Sequence, residues 1–236
     1  ASELDFAIEL ETQRAIEANA ELLDKISKER VRDEFIKIIM SENPAIALEL
    51  SARLGILKYI SPEFEKGIGV EQNKAHAYTV WEHLLRSLNH AAKKNYPLHV
   101  RLAALFHDIA KPHTKDFKNG QATFYGHEVV GAKLARKILE DLRFPKEISE
   151  KVVKLVRWHM FTVDEHITDS AVRRFIRRIG VENVRDMMDL RVGDRLGGGT
   201  QTAESWRLKL FKKRLEEQLA PAPFSINDLA IDGNDI

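Results

Sequence analysis

Apolar residues in this chain recur with the period of an α-helix far more often than with the alternation of a β-strand. The clearest series, at positions i, i+3, i+4 and i+7, is Leu102, Leu105, Phe106 and Ile109. Because such a series forms one continuous helical face, it is buried only when other elements pack against it. The periodicity therefore predicts an all-α protein. Apolar stripes run along 129–142 and 148–156, and further helices are predicted around 12–26, 29–40, 44–54, 79–94, 169–178, 182–196 and 203–219.

Turn-forming residues divide this helical pattern. The dipeptide Asn119-Gly120 favours a tight two-residue turn, so a short β-hairpin is predicted within 114–125. The helical periodicity is also lost around residues 67–69. The expected organisation is a helical neck at 1–60, a linker at 61–77, a main helical domain at 78–218 and a C-terminal tail at 219–236.

The composition excludes several classes of protein. Hydrophobic residues make up 44% of the chain and charged residues 31%, so the chain can form a core and is not a disordered one. The 37 Lys and Arg residues balance 36 Asp and Glu residues to a formal net charge of +1, so any surface for a polyanion must be local. Cysteine is absent, which excludes disulfides, thiol catalysis and thiolate metal ligands. No apolar run reaches the ~20 residues that span a bilayer, and no signal-peptide pattern opens the chain. We therefore expect a soluble cytoplasmic protein.

Two residues with metal-ligand side chains, His107 and Asp108, stand directly after Phe106 in the clearest apolar stripe. On a helix, adjacent side chains point about 100° apart, an angle that suits two neighbouring positions on one metal ion. Burial of an unpaired imidazole and carboxylate is costly, so a buried pair needs a metal ion or hydrogen-bond partners. The remaining ligands are expected to come from other helices.

Four more residues of ligand type border apolar helical stripes or helix starts. His83 borders a predicted buried face, and His159 extends the stripe of the helix before it. His127 stands at a predicted helix start. Asp194 follows Leu190 by four residues on an apolar stripe, and a buried carboxylate is unusual without a cation nearby.

The order of these residues along the chain resembles that of the HD-domain superfamily of metal-dependent phosphohydrolases. Further segments resemble one branch of that superfamily, the neck and body of bacterial tRNA nucleotidyltransferases and poly(A) polymerase-type proteins. The resemblance extends over almost the whole chain, and its segments occur in the same order. These segments are FAIELET at 6–12, ERVRDEF at 29–35, GVEQN at 69–73 and DRLGGGT at 194–200.

The resemblance implies an HD-domain helical bundle at 78–218, preceded by a neck of RNA-binding type. In this family, nucleotide addition needs an N-terminal head, a sheet with two metal-binding carboxylates, and no such sheet is predicted here. Asp232 and Asp235 have a vaguely similar spacing, but they stand in the terminal tail. We therefore expect no nucleotidyl transfer from this chain, and the resemblance implies that its C-terminus is truncated.

The resemblance also implies roles for individual side chains. Four are expected to bind a divalent metal ion: His83, His107, Asp108 and Asp194. Such nitrogen and oxygen ligands favour Mn, Fe, Co or Ni, and Mg stays open. Two are expected to act in catalysis or to bind a second metal: His127 and His159. Lys111, one turn beyond Asp108, and Arg195, next to Asp194, are expected from these positions to bind phosphate. The expected substrate is a phosphomonoester or 2′,3′-cyclic phosphate of a nucleotide or an RNA 3′ end, with tRNA as the expected RNA.

Other functional interpretations stay open beside this one. The other five histidines are interpreted as ordinary core or surface residues: His76, His90, His99, His113 and His166. The segment 197–200 lacks the lysine of a phosphate-binding loop and is predicted to be a turn. Four arginines on neighbouring turns form either a solvated face or a contact with RNA: Arg173, Arg174, Arg177 and Arg178. The alternative to a phosphohydrolase is a tRNA-binding body without activity of its own. The sequence leaves the oligomeric state open.

Overall fold

The structure is a computed structural model that describes residues 6–72, 77–200 and 202–220. Helices dominate these residues, and the described strands form a single two-stranded sheet, so the predicted all-α fold is confirmed. The helices are α1 (Leu10–Asn19), α2 (Lys28–Met40), α3 (Pro44–Arg53), α4 (Leu57–Ile60), α5 (Val80–Lys93), α6 (Leu98–Phe106), α7 (Lys111–Thr114), α8 (His127–Asp141), α9 (Lys146–Trp158), α10 (Asp169–Ile179), α11 (Val184–Gly197) and α12 (Trp206–Leu219). The strands are β1 (Asp116–Lys118) and β2 (Gln121–Thr123). Three residues discussed above lie outside the described ranges: His76, Asp232 and Asp235.

The chain divides into two compact units. One comprises Ala1–Met160 with Arg185–Ala203, and the other comprises Phe161–Val184 with Glu204–Ile236. In the second unit α10 packs on α12, around three aromatic rings whose centroids lie 4.8 to 5.4 Å apart: Phe161, Phe175 and Phe211. The neck, linker, domain and tail boundaries given above stay a prediction. No described helix is long and apolar enough to cross a membrane.

The first helix is shorter than the periodicity predicts. Helix α1 ends at Asn19, and Ala20–Lys25 continue as a 3₁₀-helix. The side-chain amide of Asn19 donates to the carbonyl of Ala15 at 2.8 Å. Such a local bond competes with the regular helical pattern, so the α-helix stops where the asparagine stands.

Helix α6 lies at the centre of the larger unit and carries a buried arginine. From its third residue to its last, every side chain of α6 is buried. The guanidinium of Arg101 donates to the carbonyls of Ile39 and Ser41 at 3.1 and 3.0 Å, at the end of α2. It also donates to the carbonyls of Ala92 and Tyr96 at 3.3 and 2.9 Å, at the end of α5. Since the last carbonyls of a helix lack partners within it, one guanidinium completes two helix ends.

Helix α11 approaches α5 closely because two glycines face it. A Cβ atom at Gly197 would lie 2.1 Å from Oγ of Ser87 and 3.0 Å from the carbonyl oxygen of His83. A Cβ atom at Gly193 would lie 3.5 Å from the carbonyl oxygen of Ser87. Gly197 is therefore the last residue of a closely packed helix rather than part of the predicted turn. This contact brings Asp194, which stands between the two glycines, towards α5.

The predicted hairpin is confirmed. Strand β1 pairs antiparallel with β2, and Lys118 is the register partner of Gln121. Both turn residues have positive φ angles, 51° at Asn119 and 73° at Gly120. Positive φ at both positions is what a type I′ turn requires, and asparagine and glycine adopt it most readily.

Candidate metal centre

Helix ends of the larger unit position six side chains that converge, which we call the ligand cluster. His83 is in the first turn of α5, and Asp194 is in the last turn of α11. The other four stand directly beside a helix end. His107 and Asp108 follow α6, His127 is the first residue of α8, and His159 follows α9. The structure therefore brings together all six residues that the sequence singled out as metal ligands or catalytic histidines.

Backbone carbonyls fix the orientation of three of these imidazoles. Nδ1 of His107 donates to the carbonyl of Ala104 at 2.9 Å. In the same way, Nδ1 of His127 donates to Phe124 and Nδ1 of His159 donates to Val156, both at 2.7 Å. Since a carbonyl only accepts, the proton of each neutral ring is on Nδ1. Each Nε2 lone pair is then left to face the ligand cluster.

The first group within the cluster comprises His83, His107, Asp108 and Asp194, with all ligand atoms within 4.8 Å of one another. Nε2 of His83 lies 2.9 Å from Nε2 of His107. It also lies 3.2 Å from Oδ2 of Asp108 and 3.3 Å from Oδ1 of Asp194. Three of the four side chains are buried, and that of Asp194 is 20% exposed. The group is therefore reached from solvent on the side of Asp194.

The second group shares Asp108 with the first. The other carboxylate oxygen, Oδ1, lies 3.1 Å from Nε2 of His127 and 3.6 Å from Nε2 of His159. These two Nε2 atoms lie 3.3 Å apart. Among the described residues, the two groups are the sets of histidine and carboxylate atoms close enough to hold a metal ion. Asp108 thus offers one oxygen to each group.

Charges within the cluster shift its pKa values. Burial opposes a charge on His83, but the hydrogen bonds and charges of Asp108 and Asp194 outweigh burial and raise the pKa of His83 to about 9. Burial lowers the pKa of His107, so this ring is neutral. Burial also opposes ionisation of Asp108, yet the charge of Lys111, together with the hydrogen bonds from His127 and His159, holds the pKa of that carboxyl well below its usual range. Both carboxylates are therefore ionised at neutral pH.

These groups fit a divalent metal ion. Two Nε2 atoms 2.9 Å apart repel each other when both present lone pairs, so a proton or a metal ion must lie between His83 and His107. Without a metal, a proton on Nε2 of His83 fills that place. A divalent cation would replace the proton and would meet two imidazole nitrogens and two carboxylate oxygens at once.

Lys111 places a permanent positive charge beside the cluster. Its Nζ donates to Oδ2 of Asp108 and to Oε1 of Gln72, both at 2.6 Å. The same ammonium lies 5.5 Å from the ring centroid of Phe124. The lysine is buried, so the sequence-predicted phosphate ligand also balances part of the negative charge of the cluster.

A pocket of about 390 Å³ opens onto the cluster. Lys111 lines this pocket, as do Asp108 and Asp194. The second described cation in its wall is Arg191, and Arg195 is not among the described residues that line it. Arg191 also donates to Oδ2 of Asp194 at 3.1 Å. The structure thus brings Arg191 to the place where Arg195 is expected from the sequence.

The remaining histidines of the described ranges have other surroundings. His99 lies 2.6 Å from a carboxylate oxygen of Asp186, and His113 lies 2.6 Å from one of Glu63. His166 is exposed beside its neighbour Glu165, and the ring of His90 lies against that of Tyr96. None of the four belongs to the ligand cluster.

The four arginines predicted to contact RNA lie together on α10, in the smaller unit, and we call them the arginine face: Arg173, Arg174, Arg177 and Arg178. All four side chains are exposed. Arg173 donates to Gln218 at 2.8 Å and Arg174 donates to Ser170 at 3.1 Å.

Comparisons with known proteins agree with these observations. Residues 80–205 match the HD domain family, and residues 5–68 match the family described as "Probable RNA and SrmB- binding site of polymerase A". The chain is 35% identical over 233 residues to a CC-adding tRNA nucleotidyltransferase of Thermus thermophilus, covering 94% of this chain and 53% of that protein. It is 31% identical over 236 residues to an A-adding tRNA nucleotidyltransferase of Deinococcus radiodurans, covering 93% and 54%. A Multifunctional CCA protein of Azoarcus sp. is 30% identical over 217 residues, covering 86% and 51%.

The chain thus spans about half the length of the curated relatives it matches. The HD match covers more than half of the chain, from the first residue of α5 to the residue before α12, and contains all six residues of the ligand cluster. The family suggested by the sequence segments is therefore confirmed. The chain belongs to the HD domain family, and over nearly its whole length it is similar to about half of the tRNA nucleotidyltransferases named above.

Proposed function

We propose that this chain is a metal-dependent phosphohydrolase module that acts on a phosphomonoester or 2′,3′-cyclic phosphate of a nucleotide or RNA end. The observation that carries the proposal is the convergence of two imidazole nitrogens and two carboxylates in the group of His83, His107, Asp108 and Asp194. A purely structural group of buried charges would need no open pocket, whereas this one faces a pocket of about 390 Å³.

The donor set supports a particular class of metal. Mixed nitrogen and oxygen ligands favour Mn, Fe, Co or Ni, and Mg, which prefers oxygen, is the weaker candidate. When bound, such an ion lowers the pKa of a water molecule and polarises a phosphoryl oxygen. We assign His83, His107, Asp108 and Asp194 to hold it.

The chain's own side chains then orient and neutralise the phosphate. Lys111 and Arg191 both line the pocket, so their positive charges favour a phosphoryl group there and stabilise the negative charge that grows in the transition state. This assignment replaces Arg195 with Arg191. In the proposed reaction a water molecule gives up one proton as its oxygen bonds to phosphorus, and the ester P–O bond breaks. The released ribose oxygen takes up one proton, so protons lost and gained are equal.

His127 has the properties needed to supply that proton. Burial disfavours its charged form, but the hydrogen bond to Asp108 outweighs burial and raises the pKa of His127. With one ion in the first group, Nε2 of His127 would carry the proton, with Nε2 of His159 as its neighbour at 3.3 Å. With a second ion, His127 and His159 would instead hold that ion. Metal stoichiometry by elemental analysis separates these two roles.

The direct test is hydrolysis after metal exchange. Chelated protein is expected to be inactive, and Mn, Co or Ni is expected to restore cleavage of adenosine 2′,3′-cyclic phosphate or of a nucleoside monophosphate. His113→Ala provides the matched control, because His113 is paired with Glu63 outside the cluster. Metal-loaded protein that cleaves neither class of ester would disprove the proposal.

A second function, the binding of RNA and of tRNA in particular, rests on different observations. Residues 5–68 match the RNA-binding family, and the relatives' names include two tRNA nucleotidyltransferases. The arginine face adds four exposed guanidiniums, which suit a phosphate backbone. The function is tested by gel shift with tRNA across a salt series. Retardation that weakens steeply with salt is expected, and its absence at low salt would contradict tRNA binding.

A further inference from the structure

The wall of the pocket beside the ligand cluster carries exposed side chains that phosphate chemistry does not need. Tyr125 is 78% exposed and Met160 is 58% exposed, and both line the pocket. Single exposed apolar residues are ordinary on a protein surface. These two differ because they share one cavity with Asp108, Lys111 and Arg191.

The chain holds both side chains close to cluster histidines. Met160 directly follows His159. Tyr125 precedes His127 by two residues, with Gly126 between them at a φ of 76°. Glycine adopts this left-handed conformation without strain, and α8 begins directly after it. Since consecutive Cα atoms are about 3.8 Å apart, the backbones of Tyr125 and Met160 lie close to those of His127 and His159, and both side chains line the same pocket.

The pocket has a charged part and an apolar part, and a single class of ligand would fit both. Cationic and metal-ligating groups suit a phosphate, while an aromatic ring and a polarisable thioether suit the flat face of a heterocycle. We propose that Tyr125 and Met160 form a stacking platform for the base of a nucleoside phosphate whose phosphate lies at the ligand cluster. This inference rests on the proposed phosphohydrolase site, and it adds the two residues that would hold the base of the nucleotide or RNA end proposed as substrate.

The platform is expected to distinguish ligands with a base from ligands without one, but not one base from another. No asparagine or glutamine is among the described residues that line the pocket, so amide groups that pair with the edge of a base are lacking there. Stacking tolerates every base because each has a π-face. We therefore expect adenosine and uridine esters to differ by only a few-fold.

A turnover experiment compares esters with and without a base. The substrates are adenosine 2′,3′-cyclic phosphate and methyl riboside 2′,3′-cyclic phosphate, with Mn-loaded protein. Wild-type protein is expected to prefer the adenosine ester by about tenfold or more in kcat/KM, as a stacked base provides. Tyr125→Ala is expected to lose most of this preference and Tyr125→Phe to keep it. The matched control is Phe117→Ala, which removes an aromatic ring that is 67% exposed on the hairpin but does not line the pocket.

A binding experiment tests the platform without turnover. In the presence of chelator, the fluorescence of 2-aminopurine riboside 2′,3′-cyclic phosphate is expected to be quenched by wild-type protein and by Tyr125→Phe. Tyr125→Ala is expected to bind the probe at least fivefold more weakly. The same probe at the 3′ end of a short oligonucleotide shows whether the preferred source of this group is a free nucleotide or an RNA end.

Failure of this inference differs from failure of the proposed function. Equal rates for the two esters would overturn the platform while hydrolysis itself stood. Equal binding of the probe by wild type and Tyr125→Ala, including no binding by either, would also overturn it. Base-dependent binding without any hydrolysis would support the platform and overturn the phosphohydrolase.

Discussion

Two charged regions of the molecule, the ligand cluster and the arginine face, differ in what fixes their side chains. In the cluster, backbone carbonyls hold the rings of His107, His127 and His159, and the carboxylate of Asp108 meets both groups. On the arginine face, the side chains are exposed, and the guanidiniums of Arg173 and Arg174 donate to the neutral side chains of Gln218 and Ser170. A buried arrangement of charges specifies one geometry, whereas exposed arginines leave their partner and their orientation to whatever binds. Substitutions in the cluster should therefore act as all-or-none changes, and substitutions on the face as graded ones.

The largest effect is expected for Asp108→Asn. This change keeps the volume of the side chain but removes a charge that faces both groups, so kcat/KM for adenosine 2′,3′-cyclic phosphate should fall at least about a hundredfold. Elemental analysis should show loss of bound metal at the same time. A variant that keeps its metal and more than a tenth of wild-type activity would contradict the expectation that substitutions in the ligand cluster abolish function.

Gly197→Ala tests whether close packing of α11 on α5 places Asp194. The added Cβ atom would lie 2.1 Å from Oγ of Ser87, so α11 must shift, and we expect a loss of about 1–3 kcal/mol in the free energy of unfolding. Metal affinity should fall as well because Asp194 moves with the helix. Denaturant unfolding and a metal titration measure the two effects.

The double variant Ser87→Ala/Gly197→Ala provides the control for this prediction. Removal of Oγ relieves the shortest contact but leaves the carbonyl of His83 at 3.0 Å, so stability should return only in part. Wild-type metal affinity in Gly197→Ala would show that the glycine does not position Asp194.

The pH dependence of metal binding tests whether the buried charges of the ligand cluster act together. Because the pKa of His83 is about 9 in the protein without metal, an ion must displace its proton, and apparent affinity should rise about tenfold per pH unit from pH 7 to pH 8. The rise should level off above pH 9. Calorimetry in buffers of different ionisation enthalpy should show the released proton.

The raised pKa of His83 has the opposite effect on the stability of the metal-free protein, which should fall as the pH rises. A histidine whose pKa is raised by folding stabilises the folded state fully below its ordinary pKa, near 6.5, and this contribution is lost as pH rises through about 9. Metal-free protein should therefore unfold at lower denaturant concentration at pH 9.5 than at pH 7. Metal affinity that is independent of pH would show that His83 does not hold this proton.

The smallest effect is expected on the arginine face. Arg173→Ala/Arg177→Ala should weaken tRNA binding by about fivefold and reduce the salt slope by about 2, with no effect on hydrolysis of a free nucleotide. The double variant Lys209→Ala/Lys213→Ala on α12 is the matched control for the loss of two positive charges. Equal weakening by both pairs would show a general effect of charge instead of a binding face.

The sequence predicts the helices and the members of the ligand cluster because burial leaves a periodic signal. His83, His159 and Asp194 each border an apolar stripe, which marks them as polar groups on buried faces. Their roles as ligands stay predictions, but their convergence could be anticipated from this pattern together with their order along the chain.

The pocket wall could not be predicted in the same way. The sequence predicts Arg195 as a phosphate ligand because it is next to Asp194, but adjacent residues on a helix point about 100° apart, and Arg195 is not among the described residues that line the pocket. Arg191, three positions before Asp194, lies on the same face, and a spacing rule would have found it. Tyr125 stands in a turn between β2 and α8, where no periodic signal exists, so only the folded chain shows that it lines the pocket.

The buried guanidinium of Arg101 has a consequence for any attempt to divide this protein. The first family match ends at residue 68 and the second begins at residue 80. Arg101 lies in the second match, yet its guanidinium donates to the carbonyls of Ile39 and Ser41 in the first. Expression of residues 78–218 alone would remove these acceptors and leave N–H groups of the Arg101 guanidinium without partners in the interior. Burial of unpaired donors lowers the free energy of unfolding. Helices α2, α5 and α6 should therefore melt in a single cooperative transition, and a shortened chain that begins at residue 78 should be insoluble.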